Sequence, residues 1–107
     1  MPKYLIKASY SSQGVKGVLS EGGTGRAKAL EKTVAGVGGR LESFYFAFGT
    51  DDVYVVADLP DNSSAIALAA TVGASGALTN YETVVLHTPE DVDAAMKKSI
   101  DYRAPGT

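Results

Sequence analysis

The sequence has no cysteine and only one histidine among its 107 residues. Without cysteine, the chain cannot form a disulfide, a thiolate zinc site or a cysteine nucleophile. A single histidine also argues against a zinc site built from protein ligands alone. The composition therefore predicts no metal site. Any catalysis would have to come from carboxylates, tyrosines, His87 or a borrowed cofactor.

The sequence also lacks an excess of charge and long apolar runs. Its 10 basic and 12 acidic residues give a net charge of −2, so we expect no basic surface that could bind nucleic acid. No apolar run approaches the roughly 20 residues of a membrane span, and the N-terminus has no apolar signal core. These absences predict a cytoplasmic protein that binds neither nucleic acid nor membrane.

The residues that are present predict seven elements in a single domain over 1–103, followed by a tail over 104–107. Alternating β-forming residues predict strands over 4–10, 40–48, 53–59 and 79–87. Helical spacing predicts helices over 13–37, 63–72 and 89–100, with a break at the glycines of 22–25. The order β-α-β-β-α-β plus a C-terminal helix predicts an α+β, ferredoxin-like fold with a four-stranded antiparallel sheet.

Local signals refine these helices. Ser12 and Thr88 are predicted to cap the first and the last helix, and Gly38 with its neighbour predicts the end of the first. In the second helix, we expect Ile66 and Ala69, with Ala70, to face the core.

Both faces of the predicted sheet are apolar. Ile6 lies on one face of the first strand and Leu5 on the other, and Phe44 and Tyr45 alternate in the same way in the second. A sheet with one face in water usually shows a polar row, and the chain has helices for about one face only. An exposed apolar face of this size usually marks an interface. We therefore expect a homodimer, or a higher homo-oligomer, with a cavity between the sheet faces.

Several segments resemble the GYD domain family: MPKY at 1–4, SQGVK at 12–16, GGRLESFY at 38–45 and GTDD at 49–52. The resemblance spans nearly the whole chain. It implies a ferredoxin-like subunit of a dimeric α/β-barrel, in a family that is largely uncharacterised. The family typically has a tyrosine before the aspartate of its name motif. Here Asp51 holds the tyrosine's place and Asp52 matches the aspartate.

Three residues are the candidates for catalysis: His87, Asp52 and Tyr54. His87 is the only side chain whose ordinary pKa lies near neutrality. It could act as a general base or bind haem if its face lines a cavity, and otherwise it is a rim histidine beside a helix cap. Asp52 could form a carboxylate pair with Asp51, although such turn residues more often bond their own backbone and stay solvated.

Asp58, inside an apolar strand, is expected to pair with Lys7 or Arg40, or to reach water.

The many aromatic residues of the sheet predict a pocket for a small apolar or aromatic molecule. The alternative is that they pack the core and the dimer. The pocket residues we expect are Tyr4, Tyr45, Phe46, Tyr54, Tyr81 and His87.

The glycines at 22–25 lack the ending of a phosphate-binding loop. Arg26 and Lys28, beside a helix start, could still hold an anion. The simpler interpretation is a break that bends the first helix, or a mobile lip of the cavity.

Three functions remain open from sequence. The first is a dimeric binding protein for a small ligand. The second is a small cofactor-independent oxygenase or isomerase, which similar dimeric α/β-barrels include. The third is a pure assembly module whose barrel is filled with side chains. A cavity of several hundred cubic ångströms would argue against the third. A solvated His87 outside that cavity would favour the first over the second.

Overall fold

The computed structural model describes residues 1–107 and contains one antiparallel sheet and three helices. The elements in chain order are β1 (Lys3–Tyr10), α1 (Ser12–Gly36), β2 (Arg40–Phe46), β3 (Val53–Asp58), α2 (Asn62–Ala74), β4 (Leu78–Leu86) and α3 (Pro89–Met96). The strands lie in the order β2-β3-β1-β4, and every neighbouring pair is antiparallel. This arrangement confirms the predicted α+β, ferredoxin-like fold.

Helix α1 bends where the glycine-rich segment predicted a break. Gly22 has φ 81° and ψ 163°, a conformation that glycine adopts without steric cost but that other residues avoid. The helix begins one residue earlier than predicted, because Ser11 rather than Ser12 provides the cap and accepts a bond from the Gly14 amide at 3.1 Å. It ends as predicted, with Gly38 at positive φ.

The two long helices cover one face of the sheet and close the core there. Val34 of α1 and Leu68 of α2 are buried against Ile6 and Val55 of the central strands. The prediction that Ile66 and Ala70 of α2 face the core was wrong, because Ile66 is 68% exposed and Ala70 is also exposed. The core-facing row of α2 instead contains Ala65, Leu68 and Val72. Because one helical residue turns the side chain by about 100°, Ile66 points away from this row.

The opposite face of the sheet, here called the open face, carries no helix. Leu5 lies at its centre, opposite Val56 of β3 and Val84 of β4. All three are only partly buried. Two ion pairs flank this centre along β1: Lys3 with Asp58 on one side of Leu5, and Lys7 with Glu82 on the other. The open face is therefore an apolar centre between ion pairs and not a uniformly polar surface.

Residues 87–107 follow β4 and are exposed throughout; we call them the C-terminal arm. Its helix α3 begins at the predicted cap, where the Thr88 hydroxyl accepts from the Asp91 amide at 3.1 Å and the Asp91 carboxylate accepts from the Thr88 amide at 3.2 Å. It ends at Met96, which is 75% exposed. The chain extends over 58 × 32 × 23 Å, and no helix combines the length and apolar character needed to cross a bilayer.

Candidate functional site

A cavity of about 290 Å³ lies between α1, α2 and the helix-covered face of the sheet; we call it the interhelical cavity. Strands β1, β2, β3 and β4 all contribute to it, and so does the segment that joins α2 to β4. Its lining residues are Ile6, Ala8, Tyr10, Arg26, Leu30, Thr33, Phe44, Val53, Val55, Leu68, Thr71, Val72, Ser75, Ala77, Leu78 and Tyr81. Most of these are apolar, which suits an apolar ligand.

Two tyrosines and one arginine line the interhelical cavity, together with the hydroxyl residues Thr33, Thr71 and Ser75. Burial raises the pKa of Tyr10, and the positive charge of Arg26 acts in the opposite direction. Burial also raises the pKa of Tyr81, with the Thr83 side chain opposing the rise. Both phenols are therefore protonated at neutral pH and available as hydrogen-bond donors.

Arg26 lies on α1 just after the bend at Gly22, and it is the only charged residue that lines the interhelical cavity. Its Nη1 atom is 3.3 Å from Oε1 of Glu21, so the ion pair spans the bend. Both side chains are partly exposed. The bend therefore places a cation at a mostly apolar space.

The six residues predicted to form one pocket do not lie together. Tyr81 lines the interhelical cavity, whereas Tyr4 is buried and donates a 2.6 Å hydrogen bond to Oδ1 of Asn62 beside a separate shallow groove. Phe46 packs edge-on against Phe44, with ring centroids 5.0 Å apart, and lies next to Gly23.

The other three predicted pocket residues lie outside the cavity. Tyr45 of β2 and Tyr54 of β3 are direct partners across the two strands, and both lie on the open face of the sheet. His87 is exposed, just past the end of β4. The strand alternation correctly separated Tyr54 from Val55, but it could not say which face the helices would cover.

Asp51 and Asp52 do not form a carboxylate pair, because each has its own donors. Asp51 is only 5% exposed, and its Oδ1 atom accepts from Ser9 Oγ at 3.1 Å and from Asn80 Nδ2 at 3.2 Å. Asp52 accepts from the Tyr10 amide at 2.9 Å. The expectation that both stay solvated was wrong for Asp51, because β1 and β4 enclose it.

Asp58 forms an ion pair at the edge of the open face, as one of the alternatives predicted. Its carboxylate lies 2.9 Å from Nη2 of Arg40 and 2.9 Å from Nζ of Lys3. Hydrogen bonding to Lys3, and then to Arg40, holds the pKa of Asp58 below its ordinary value. Lys7 was the wrong partner, since it pairs with Glu82 at 3.2 Å. This network is structural and lies on the face opposite the cavity.

Sequence reasoning missed the residues that α2 contributes to the interhelical cavity. Leu68, Thr71 and Val72 follow the spacing i, i+3, i+4, which is a usable signal for one helical face. The many alanines of α2 hid it, because they place small apolar residues on every side. No group of three or more histidine, cysteine, aspartate or glutamate side chains lies close enough to hold a metal ion.

Comparison with known proteins identifies one family. The sequence model of the GYD domain matches residues 4–96. Among curated proteins, none matches this chain. Because the match covers most of the sequence, the chain belongs to the GYD domain family.

Proposed function

We propose that this member of the GYD domain family is a small-molecule binding protein that works as a homodimer and has no catalytic group of its own. The observation that carries the proposal is the interhelical cavity, which measures about 290 Å³ and is mostly apolar. An apolar cavity of about 150 Å³ already admits benzene. The space is therefore sufficient for a molecule of one or two rings.

The size of the cavity also bears on the other two functions. Protein interiors are close-packed, and voids larger than a water molecule are few. A space of this size beneath two helices supports a binding protein over a module that only assembles. The exposure of His87, away from the cavity, supports a binding protein over an oxygenase or isomerase that would use this residue as a base.

The large surface of the single chain supports a homodimer. The chain exposes 7231 Å², whereas a compact monomer of this size exposes about 5,700 Å². The excess, about 1,500 Å² by the same scaling, is more than the roughly 800 Å² that each partner buries in a stable interface. The open face and the C-terminal arm both contribute to this exposed surface.

The C-terminal arm gives a second reason to expect another copy. Helix α3 has only 8 residues, and a helix this short is marginal in water unless it packs against something. Val92 and Met96 are exposed on it, four residues apart and so on one face. The expected cavity between two sheet faces would form only in such a dimer and stays a prediction.

Ligand binding is tested with naphthalenemethanol, a neutral two-ring alcohol, by isothermal titration calorimetry. Thr71 lines the cavity and is exposed, so Thr71→Phe should fill the opening without disturbing the core. Ala67→Phe is the matched control, because Ala67 is exposed on the same helix and does not line the cavity. We expect saturable binding by the parent and the control, and none by Thr71→Phe. Absence of binding by the parent, or equal binding by all three proteins, would refute the proposed site.

The homodimer is tested by light scattering at micromolar concentration. We expect the parent protein to have twice the mass of the 11.1 kDa chain. Met96→Asp should shift the equilibrium towards the monomer, because it places a charge on the exposed apolar side of α3. The neighbouring Lys98→Asp serves as the control. A parent protein that shows only the 11.1 kDa species would overturn this part of the proposal.

A further inference from the structure

The interhelical cavity carries information about the class of its ligand, because one charge stands among apolar residues. Arg26 is the only charged residue in its lining. In apolar binding sites, a few polar groups fix the orientation and the chemical identity of the ligand. The guanidinium has five donors and no acceptor, so it selects for an anionic or hydrogen-bond-accepting group.

The present partner of Arg26 is held weakly. A single contact of 3.3 Å joins Nη1 to Glu21, which is not a lining residue. About a third of the Arg26 side chain and 40% of the Glu21 side chain are exposed. Exposed ion pairs of this kind contribute little to stability. A ligand carboxylate that offers two oxygens to the planar guanidinium can replace such a contact.

The aromatic residues of the cavity complement this cation. Tyr10 lies near enough for the charge of Arg26 to influence its titration, and its phenol is protonated at neutral pH. Phe44 and Tyr81 add two more rings to the lining. Aromatic rings prefer to pack edge-on or offset against other rings. The cavity thus offers a ring-binding space with a cation and a phenolic donor at one place.

We propose that the ligand is an aromatic carboxylate of one or two rings, bound with its carboxylate on Arg26 and its rings among the aromatic residues of the interhelical cavity. This inference rests on the proposed function, because it names the ligand class of the same site. On binding, the ligand carboxylate would replace Glu21 as the partner of Arg26, so the guanidinium charge would stay neutralised. Glu21 is then a competitor for the site.

The test compares two probes of the same shape, naphthoate and naphthalenemethanol, by calorimetry on the intact protein at neutral pH. We expect naphthoate to bind the parent about tenfold more tightly, a difference typical of one charge-assisted contact. Arg26→Gln should remove this preference and leave the affinity for naphthalenemethanol unchanged. Glu21→Gln should strengthen naphthoate binding only. Lys28→Gln, which removes an exposed charge from the same helix, should change neither affinity.

The outcomes separate this inference from the function it rests on. If naphthalenemethanol binds but naphthoate binds no better, or if Arg26→Gln lowers both affinities equally, the carboxylate assignment is wrong while the cavity remains a binding site. If neither probe binds, the proposed function itself fails. Octanoate has the same carboxylate and no ring, and it should bind more weakly than naphthoate. Equal or tighter binding of octanoate would overturn the aromatic part of the assignment.

Discussion

The first turn of α1 packs so closely on the segment before β4 that a single methyl group should not fit there. A Cβ atom on Gly14 would overlap the carbonyl oxygen of Ala77 and lie 3.0 Å from Cδ1 of Tyr10. The same carbonyl accepts a hydrogen bond from the Ser11 amide at 2.8 Å, so it cannot move freely. Gly17, one turn later in α1, has nothing within 4 Å of the corresponding position.

The two glycines therefore form a matched pair of tests. Alanine is favoured over glycine within a helix by about 0.8–1 kcal/mol, and this gain applies to both positions. Gly17→Ala should raise the free energy of unfolding by about that amount. Gly14→Ala should lower it by about 1–3 kcal/mol, because overpacking and a weakened hydrogen bond outweigh the helical preference. The melting temperature should shift by about 4 °C for each kcal/mol.

Urea and thermal denaturation followed by circular dichroism would measure both variants. All proteins must be compared at one chain concentration, because association would stabilise the folded state by mass action. We expect Gly17→Ala to melt above the parent and Gly14→Ala clearly below it. If Gly14→Ala were as stable as Gly17→Ala, the close approach of α1 to Ala77 would be refuted.

Three further predictions follow from the ion pairs, the core and the exposed histidine. Because the pKa of Asp58 is lowered in the folded state, its charge stabilises the protein above about pH 4 and loses that effect as the pH falls further. In urea denaturation, Asp58→Asn should lower the free energy of unfolding by about 1–2 kcal/mol at pH 7. This difference from the parent should narrow below about pH 4, and a difference that stays constant with pH would contradict the lowered pKa of Asp58. Leu68→Ala should cost about 2–4 kcal/mol in the free energy of unfolding, because Leu68 is buried at the wall of the interhelical cavity and its loss enlarges that space. A cost below about 1 kcal/mol would show a loosely packed wall. His87→Ala should leave the affinity for naphthalenemethanol unchanged in calorimetry, and a clear loss would place this residue in the site.

The features that the sequence predicted well are those set by a few neighbouring residues. The bend at Gly22 and the end of α1 at Gly38 depend on backbone freedom that glycine alone supplies. The start of α3 depends on two reciprocal hydrogen bonds, each from the backbone amide of one residue to the side chain of the other, between Thr88 and Asp91. Such signals act within a single turn of chain, so they can be read without the tertiary structure.

The features that could not be predicted depend on which surfaces meet. The alternation in β3 separated Tyr54 from Val55, but only packing decides which of the two faces the helices cover. The alanine-rich α2 offered several candidate faces, and the choice of Leu68 over Ile66 is made by contact with the sheet. Arg26 follows the glycines of 22–25 directly in the sequence, yet its place in the cavity lining follows from the bend and from α2 together.

The hydrogen bonds of Asp51 have a consequence for how the sequence can change. One buried carboxylate oxygen accepts hydrogen bonds from Ser9, near the end of β1, and from Asn80 in β4, although these two residues are 71 positions apart. The tyrosine that the family typically carries at this place is larger, and its single hydroxyl cannot reproduce an acidic oxygen that accepts from two donors at this spot. A lone exchange to tyrosine would leave Asn80 Nδ2 without this acceptor, whereas Ser9 Oγ would keep the Thr50 carbonyl oxygen at 3.2 Å. We therefore expect relatives with tyrosine here to differ also at the position of Asn80, so that the two sites vary together in evolution.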